Sequence, residues 1–556
     1  MNTSTIRRFA PDTAIIAAIT LTIGLIAQQW SGLDTPDSGF YFSLANFGSQ
    51  VMDRAPIDSY YWTRLGVIGP TYALTSIFGP WIGYFLWRLT LLAIIVTAFY
   101  VAARKFNTPR SQAAMLTGTL AASTVILSYL GNPYVTATAL AAIAITLTTA
   151  LFPGIKSAVI AGAAMGWLTM INPYAAILAG SLWLAVSLQR TLANKNTQGI
   201  PHLLKQGAAA AVATITTFTA FLLLGTQLFP GMNWFQTYID WNAKLDYSDF
   251  ASTSPVWLTD PSLLVPISMF IVVAINWWKY KTPQTQAALT IVLTTLGVTI
   301  SFLPAMAGIT LEATIYTAML WIPMSIAFLL AFTTERPTNA WIPPIAIAAV
   351  IASGFITLDF NGQIAILVAV AITVLLLTTA TTKVTILTLV IFLAAGQLIH
   401  NSRDQIGTYY SSPFGWAYHD NPIKLQLANS YNAQKWLLAN TTPQDQILTY
   451  VDGDWQGGDR DLYVAASLQF WGENRISVTR ELRPEDLLRL EELKPNVFAL
   501  YGPNKDRLQQ YVNALPNASQ LTPLECLDFD WPSLPNGATL CLTRVDQNPK
   551  TIESGT

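Results

Sequence analysis

The sequence predicts an all-α membrane domain of about 13 transmembrane helices, followed by a small α/β domain on the outer side. Three observations carry this. Of the 556 residues, 52% are hydrophobic and only 11% charged, with mean hydropathy +0.41, where a soluble domain carries about 25% charged residues. Apolar runs of span length recur through residues 1–400. Beyond residue 400 charge returns, and the apolar runs shrink to strand length. The formal net charge of −1 marks no partner, and nucleic acid is not expected.

The spans are predicted at residues 13–30, 81–103, 112–129, 133–152, 155–171, 173–189 and 207–229, and then at 262–279, 286–304, 310–333, 339–357, 361–379 and 384–400. Short loops set the orientation, because Lys and Arg stay on the cytoplasmic side. Arg7, Arg8, Arg104, Lys105, Arg110, Lys156, Arg190, Lys195, Lys205, Lys279, Lys281, Arg336 and Lys383 fall in one alternate set of connections. The short loops of the other set, at 130–132, 171–172, 305–309 and 358–360, contain neither residue. The N-terminus is therefore expected in the cytoplasm, and an odd number of spans puts the C-terminal domain outside. Gln28-Gln29-Trp30 stands where a signal peptide would have small residues, so the first span is expected to remain as an anchor.

The first outer loop, 31–80, interrupts the hydrocarbon with Asp34, Asp37, Asp53, Asp58, Arg54, Arg64 and a Tyr60-Tyr61-Trp62 cluster. Charge at a membrane surface has to be solvated or put to use. Pro36-Asp37-Ser38 is a helix-start signal with a capping side chain. Phe40, Leu44, Phe47 and Val51 follow at helical spacing with Ser43, Asn46 and Ser49 between them, which predicts a helix along the membrane surface. The run from Leu65 to Phe78, broken by Pro70, is too short for a span and predicts a second surface or re-entrant helix.

The residues of this loop resemble a known motif. An Asp beyond the first span, a Tyr four residues on (Asp37, Tyr41) and then Ala45 are similar to the first-loop motif of GT-C glycosyltransferases. Arg64, Pro70, Gly79 and Arg88 resemble its continuation in the protein mannosyltransferase and aminoarabinose transferase branch. The resemblance implies a polyprenyl-phosphate sugar as donor and a glycan, glycolipid or protein on the outer face as acceptor. An actinobacterial arabinosyl- or mannosyltransferase of the cell envelope is a narrower version. The rival expectation is a transporter or lipid flippase, which would place its charges near mid-membrane.

With that resemblance, Asp37 is the expected catalytic base, against the plainer reading of a helix cap. Asp34 is the alternative base or a metal ligand, since position 38 is Ser where many relatives have a second carboxylate. Arg88, well inside the second span, is costly unless it meets a partner or ligand. It is expected at the donor phosphate, or else snorkelling to the interface. Arg64 and Lys244 are further phosphate candidates. Tyr41, Tyr61 and Trp241 are expected at the acceptor. Glu312 is either another acceptor or cation contact or an interfacial carboxylate. Loop 232–261, rich in Trp, Tyr and Asp, suits sugar stacking or an aromatic lid.

In the outer domain, 401–556, strands are predicted at 447–451, 476–479, 496–501 and 538–543. Helical periodicity covers 428–439, 461–470, 484–492 and 504–514. Trp436, Trp455, Trp471 and Trp531 fit either the core or a sugar-stacking surface. Asp452-Gly-Asp454 reads as a turn, with a divalent cation site as the weaker alternative. Cys526 and Cys541 are the only cysteines and share the oxidising side, which favours a disulfide. No P-loop, GxSxG or dinucleotide fingerprint occurs, which suits a donor already activated on a lipid.

Overall fold

The computed structural model describes residues 3–26, 36–52, 63–122, 124–131, 135–193, 199–228, 233–244, 264–306, 319–332, 407–410, 416–419, 423–451, 494–515, 518–529 and 538–545. The chain divides into two compact units. The first holds Met1–Trp30, Trp62–Asp404 and Thr408–Tyr418; the second holds Ser31–Tyr61, Gln405–Gly407 and His419–Thr556. Segment 31–61, expected to belong to the membrane domain, is grouped with the C-terminal residues.

The helices of the membrane part are α1 (Thr3–Ile26), then, beyond α2 (Pro36–Phe47) and α3 (Ser49–Met52) of the second unit, α4 (Leu65–Phe78) and α5 (Pro80–Arg104). They continue as α6 (Arg110–Ala121), α7 (Thr124–Gly131), α8 (Val135–Ala150), α9 (Ile155–Thr169), α10 (Pro173–Ala193) and α11 (Gly199–Leu228). The last are α12 (Trp234–Lys244), α13 (Leu264–Tyr280), α14 (Pro283–Met306) and α15 (Trp321–Phe332). Among the described residues α5, α10 and α11 are long and apolar enough to cross a membrane. The expected spans over 339–400 lie outside the described residues. The expected span 112–129 is two helices, α6 and α7, because Ala122 leaves helical geometry (ψ 5°) beside Ser123 and Thr124, residues that compete for backbone hydrogen bonds.

Packing follows side-chain size. In α8, Val135–Ala144 are all buried, as expected of a helix apolar on every side. The seam between α9 and α11 is made by small residues: a Cβ on Gly162 would lie 2.1 Å from the Ala210 carbonyl oxygen, so only glycine admits this approach. There Thr214 Oγ1 donates to the Gly162 carbonyl at 3.0 Å. The opposite face of α11 is exposed and apolar (Val212, Ile215, Leu223), the inverted pattern of a lipid-facing helix. Gly79, at φ 79°, is the single residue between α4 and α5, and Pro80 opens α5 at its first position. At the far end of α5, Asp12 accepts from Tyr100 Oη (2.8 Å) and Arg110 Nε (2.7 Å), tying α1 to α5 and α6.

The second unit contains a four-stranded sheet of order β3-β4-β6-β5, from β3 (Ile447–Val451), β4 (Val497–Gly502), β5 (Glu525–Phe529) and β6 (Ala538–Arg544). β3 and β4 run parallel; β6 is antiparallel to both its neighbours. Every residue of β4 is buried, as suits a central strand covered on both faces. Helices α16 (Ile423–Asn440) and α17 (Lys505–Ala514) accompany it, the latter capped by Asn504 Oδ1, which accepts from Arg507 N at 2.9 Å. The core gathers Leu448, Phe498, Leu500, Leu508, Val512 and Leu524. Cys526 and Cys541 are in register across β5 and β6, 4.1 Å apart at Cα, and their sulfurs are bonded. A separate two-stranded ribbon joins β1 (Gly407–Tyr410) and β2 (Trp416–His419). β5 was not expected from the sequence, and the elements expected at 461–470, 476–479 and 484–492 lie outside the described residues.

Candidate active site

Asp37 is the second residue of α2. The helix starts two residues earlier than a capping Asp37 requires, because Pro at the first position needs no N–H partner and has the right φ already set. The carboxylate therefore belongs to the first turn, where free backbone N–H groups and the helix dipole favour negative charge. Tyr41, Phe42, Ser43, Leu44 and Ala45 of α2 are all buried.

Arg88 lies on α5 in a narrow crevice walled by Ile23 and Gly24 of α1, Phe85 and Leu89 of α5, and Leu127 of α7. It is 9% exposed, which argues against a freely snorkelling side chain. It sits about 24 Å along α5 from Arg104, by helix rise alone. Apart from the guanidinium, the walls of the crevice are hydrocarbon.

Arg64, 6% exposed, immediately precedes α4. The start of α4 is docked on the C-terminal end of α9: Gly66 N donates to the Met170 carbonyl (3.0 Å) and Trp167 Nε1 donates to the Gly66 carbonyl (2.8 Å). Trp167 also meets Trp87 edge-on at 6.2 Å, so one side chain links the two segments that carry Arg64 and Arg88. From α12, Tyr238 Oη donates to the Thr169 carbonyl at 2.8 Å, and its ring packs edge-on against Phe218. Burial pushes the Tyr238 phenol up to about 12, while the charge of nearby Arg64 pulls it back. Trp167 and Tyr238 were not singled out in the sequence. Aromatic residues at helix ends were visible there, but nothing linked them to residues 101 and 69 positions away in the chain.

Lys244 and Trp241 are both on α12, which makes the first part of loop 232–261 a helix. Asp34, Tyr61, Glu312, Asp452 and Asp454 lie outside the described residues. Among the described residues no group of three or more His, Cys, Asp or Glu gathers to hold a metal ion.

No family model and no curated protein matches the sequence. Solved structures do match. The apo structure of ArnT from Cupriavidus metallidurans superposes with a TM-score of 0.57 at 13% identity, over 96% of this chain and 98% of that one. ArnT bound to undecaprenyl phosphate gives 0.56 and 13%, over 95% and 97%. The fold is that of the GT-C glycosyltransferases. The arabinofuranosyltransferase AftD from Mycobacteria also matches, with a TM-score of 0.50 at 13% identity, over 96% of this chain and 40% of that one. The GT-C fold is therefore traced along almost the whole length of this chain, at an identity that speaks for architecture alone.

Proposed function

We propose that this chain is an integral membrane glycosyltransferase that moves a sugar from a polyprenyl-phosphate donor to a glycan, glycolipid or protein acceptor at the outer membrane face. The observation that carries the reading is the GT-C fold over 95% of the chain in common with an ArnT bound to undecaprenyl phosphate. Arg88, buried within the apolar helix α5, supports it, since an arginine inside a span calls for an anionic partner such as a lipid phosphate. A transporter or flippase has no comparable support from the fold.

In the reaction, Asp37 takes the proton of the acceptor hydroxyl, and the oxygen attacks the anomeric carbon. The bond from that carbon to the phosphate oxygen breaks, and the electron pair leaves with the polyprenyl phosphate. Arg88 and Arg64 balance the charge of that leaving phosphate, with Lys244 as a further cation. A single displacement inverts the anomeric centre, because one carboxylate suffices for it. Tyr41, Tyr61, Trp241 and Glu312 are proposed contacts of the acceptor. Asp34 is the alternative base, and Asp452 and Asp454 are weaker candidates for a divalent cation site. The protein is proposed to lie in the plasma membrane with its N-terminus cytoplasmic and its C-terminal unit outside. The sugar is proposed to be one used in envelope assembly, such as arabinose or mannose.

The test is turnover by the purified protein on a panel of polyprenyl-phosphate sugars, with Asp37→Asn beside wild type. Asp37→Asn should lose roughly 10²–10⁴ in rate and keep its fold, costing at most about 1 kcal/mol for the charge lost from the helix start. Asp34→Asn is the control. If Asp37→Asn turns over within about threefold of wild type, Asp37 is not the base; if Asp34→Asn is then inactive, the role passes to Asp34.

A further inference from the structure

We infer that the helix bearing Asp37 is held by the C-terminal unit, with Tyr431 of α16 as a positioning residue for that carboxylate; this rests on the reading of Asp37 as the base. The chain passes into the second unit between Trp30 and Ser31 and leaves it between Tyr61 and Trp62, so α2 belongs to the same compact body as the sheet. The direct link is Phe47, the last residue of α2, whose ring stacks on Tyr431 with centroids 5.1 Å apart and planes 22° from parallel.

Both sides of that stack are fixed. On the α2 side, Gly48 closes the helix with a left-handed φ of 46°, its N–H donating to the Leu44 carbonyl at 3.0 Å. Asn46 Nδ2 donates to the Phe42 carbonyl at 2.8 Å, which stiffens the last turn of the helix. On the α16 side, Ala433, Gln434 and Leu437 are buried. The end of α16 is tied to the sheet by Arg544, which donates to the Asn440 carbonyl and pairs with Asp445 at 3.2 Å. A continuous line of contacts therefore runs from β6 through Arg544, α16, Tyr431 and Phe47 into α2.

α2 transmits position as a rod. Asp37 lies ten residues from Phe47, about 15 Å by helix rise. A tilt of about 4° at the stack moves the helix start by roughly 1 Å, an error that can cost about 10²-fold in rate. The aromatic pair thus sets where the start of α2 sits without touching substrate.

The experiment compares wild type, Tyr431→Ala, Tyr431→Phe and Asp37→Asn on the polyprenyl-phosphate sugar that wild type turns over. It also follows hydrogen exchange of residues 36–47 in each. Tyr431→Ala should lose roughly 10- to 100-fold in kcat, with KM for the lipid donor nearly unchanged and faster exchange in α2. Tyr431→Phe keeps the ring and should restore both kcat and the exchange rate. In the Asp37→Asn background Tyr431→Ala should add little, because the group being positioned is already gone. Full turnover by Tyr431→Ala, or an equal loss in both backgrounds, would overturn the positioning role and leave the glycosyltransferase reading standing. Normal turnover by Asp37→Asn would instead remove Asp37 as base, and the positioning role with it.

Discussion

Replacing Arg88 with Met separates a ligand site from a structural one, because only a ligand site predicts a loss of donor binding. Arg88 is 9% exposed among Ile23, Phe85, Leu89 and Leu127, with hydrocarbon on every wall of the crevice. The melting midpoint of Arg88→Met serves to show that the variant folds, and the reading turns on donor binding. Donor binding should fall. Removing one partner of a desolvated charge pair costs about 2–4 kcal/mol, or roughly 30- to 1,000-fold in Kd. Undecaprenyl phosphate is the probe, titrated against the protein in nanodiscs, with the melting midpoint measured on the same samples. Arg88→Lys should recover only part of the affinity, since an ammonium cannot form the guanidinium fork. A variant that binds undecaprenyl phosphate like wild type but melts well below it would refute the reasoning and make Arg88 a structural residue.

Three further outcomes are expected. Peptide mapping without reductant should find Cys526 joined to Cys541, and reducing that 15-residue link should destabilise the second unit by about 3 kcal/mol in the chain-entropy model; two free thiols in fresh protein would contradict the pairing. Single cysteines at Ser111 and Thr197 should stay shielded from an impermeant thiol reagent in intact cells while those at Ser252 and Ser402 label, and labelling at Ser111 would reverse the orientation. Burial alone would push the Asp445 carboxyl up, but the Thr442 N–H, the charge of Arg544 and the Asn496 amide outweigh it and hold it below its ordinary value. Its contribution is therefore fully present above the unfolded value of about 4 and is lost as pH falls through the folded one. Asp445→Asn should melt less steeply with acid over that range, and an unchanged acid profile would discount the clasp.

Much of the architecture was legible in one dimension because its causes are local. A bilayer demands long apolar helices, so α5 (Pro80–Arg104) and α10 (Pro173–Ala193) lie close to their expected bounds of 81–103 and 173–189. Alternation and turn residues similarly placed β3 and β6, and the lone pair of cysteines on one side pointed to each other. The candidate carboxylate and arginines stood out for the same reason: charge is conspicuous in a hydrocarbon sequence.

What only the tertiary structure decided concerns partners distant in the chain. Nothing local marks Trp167 as the side chain that meets both Gly66 and Trp87, or Tyr238 as the neighbour of Arg64. The spacing of Phe40, Leu44 and Phe47 was compatible with a helix lying on a membrane. Whether such a stripe faces lipid or protein depends on what packs against it, and α2 is buried and stacks on Tyr431, 384 positions further along. Periodicity reports which face of a helix is apolar. Only the assembled chain determines what that face meets, because burial is a property of contacts and not of sequence spacing.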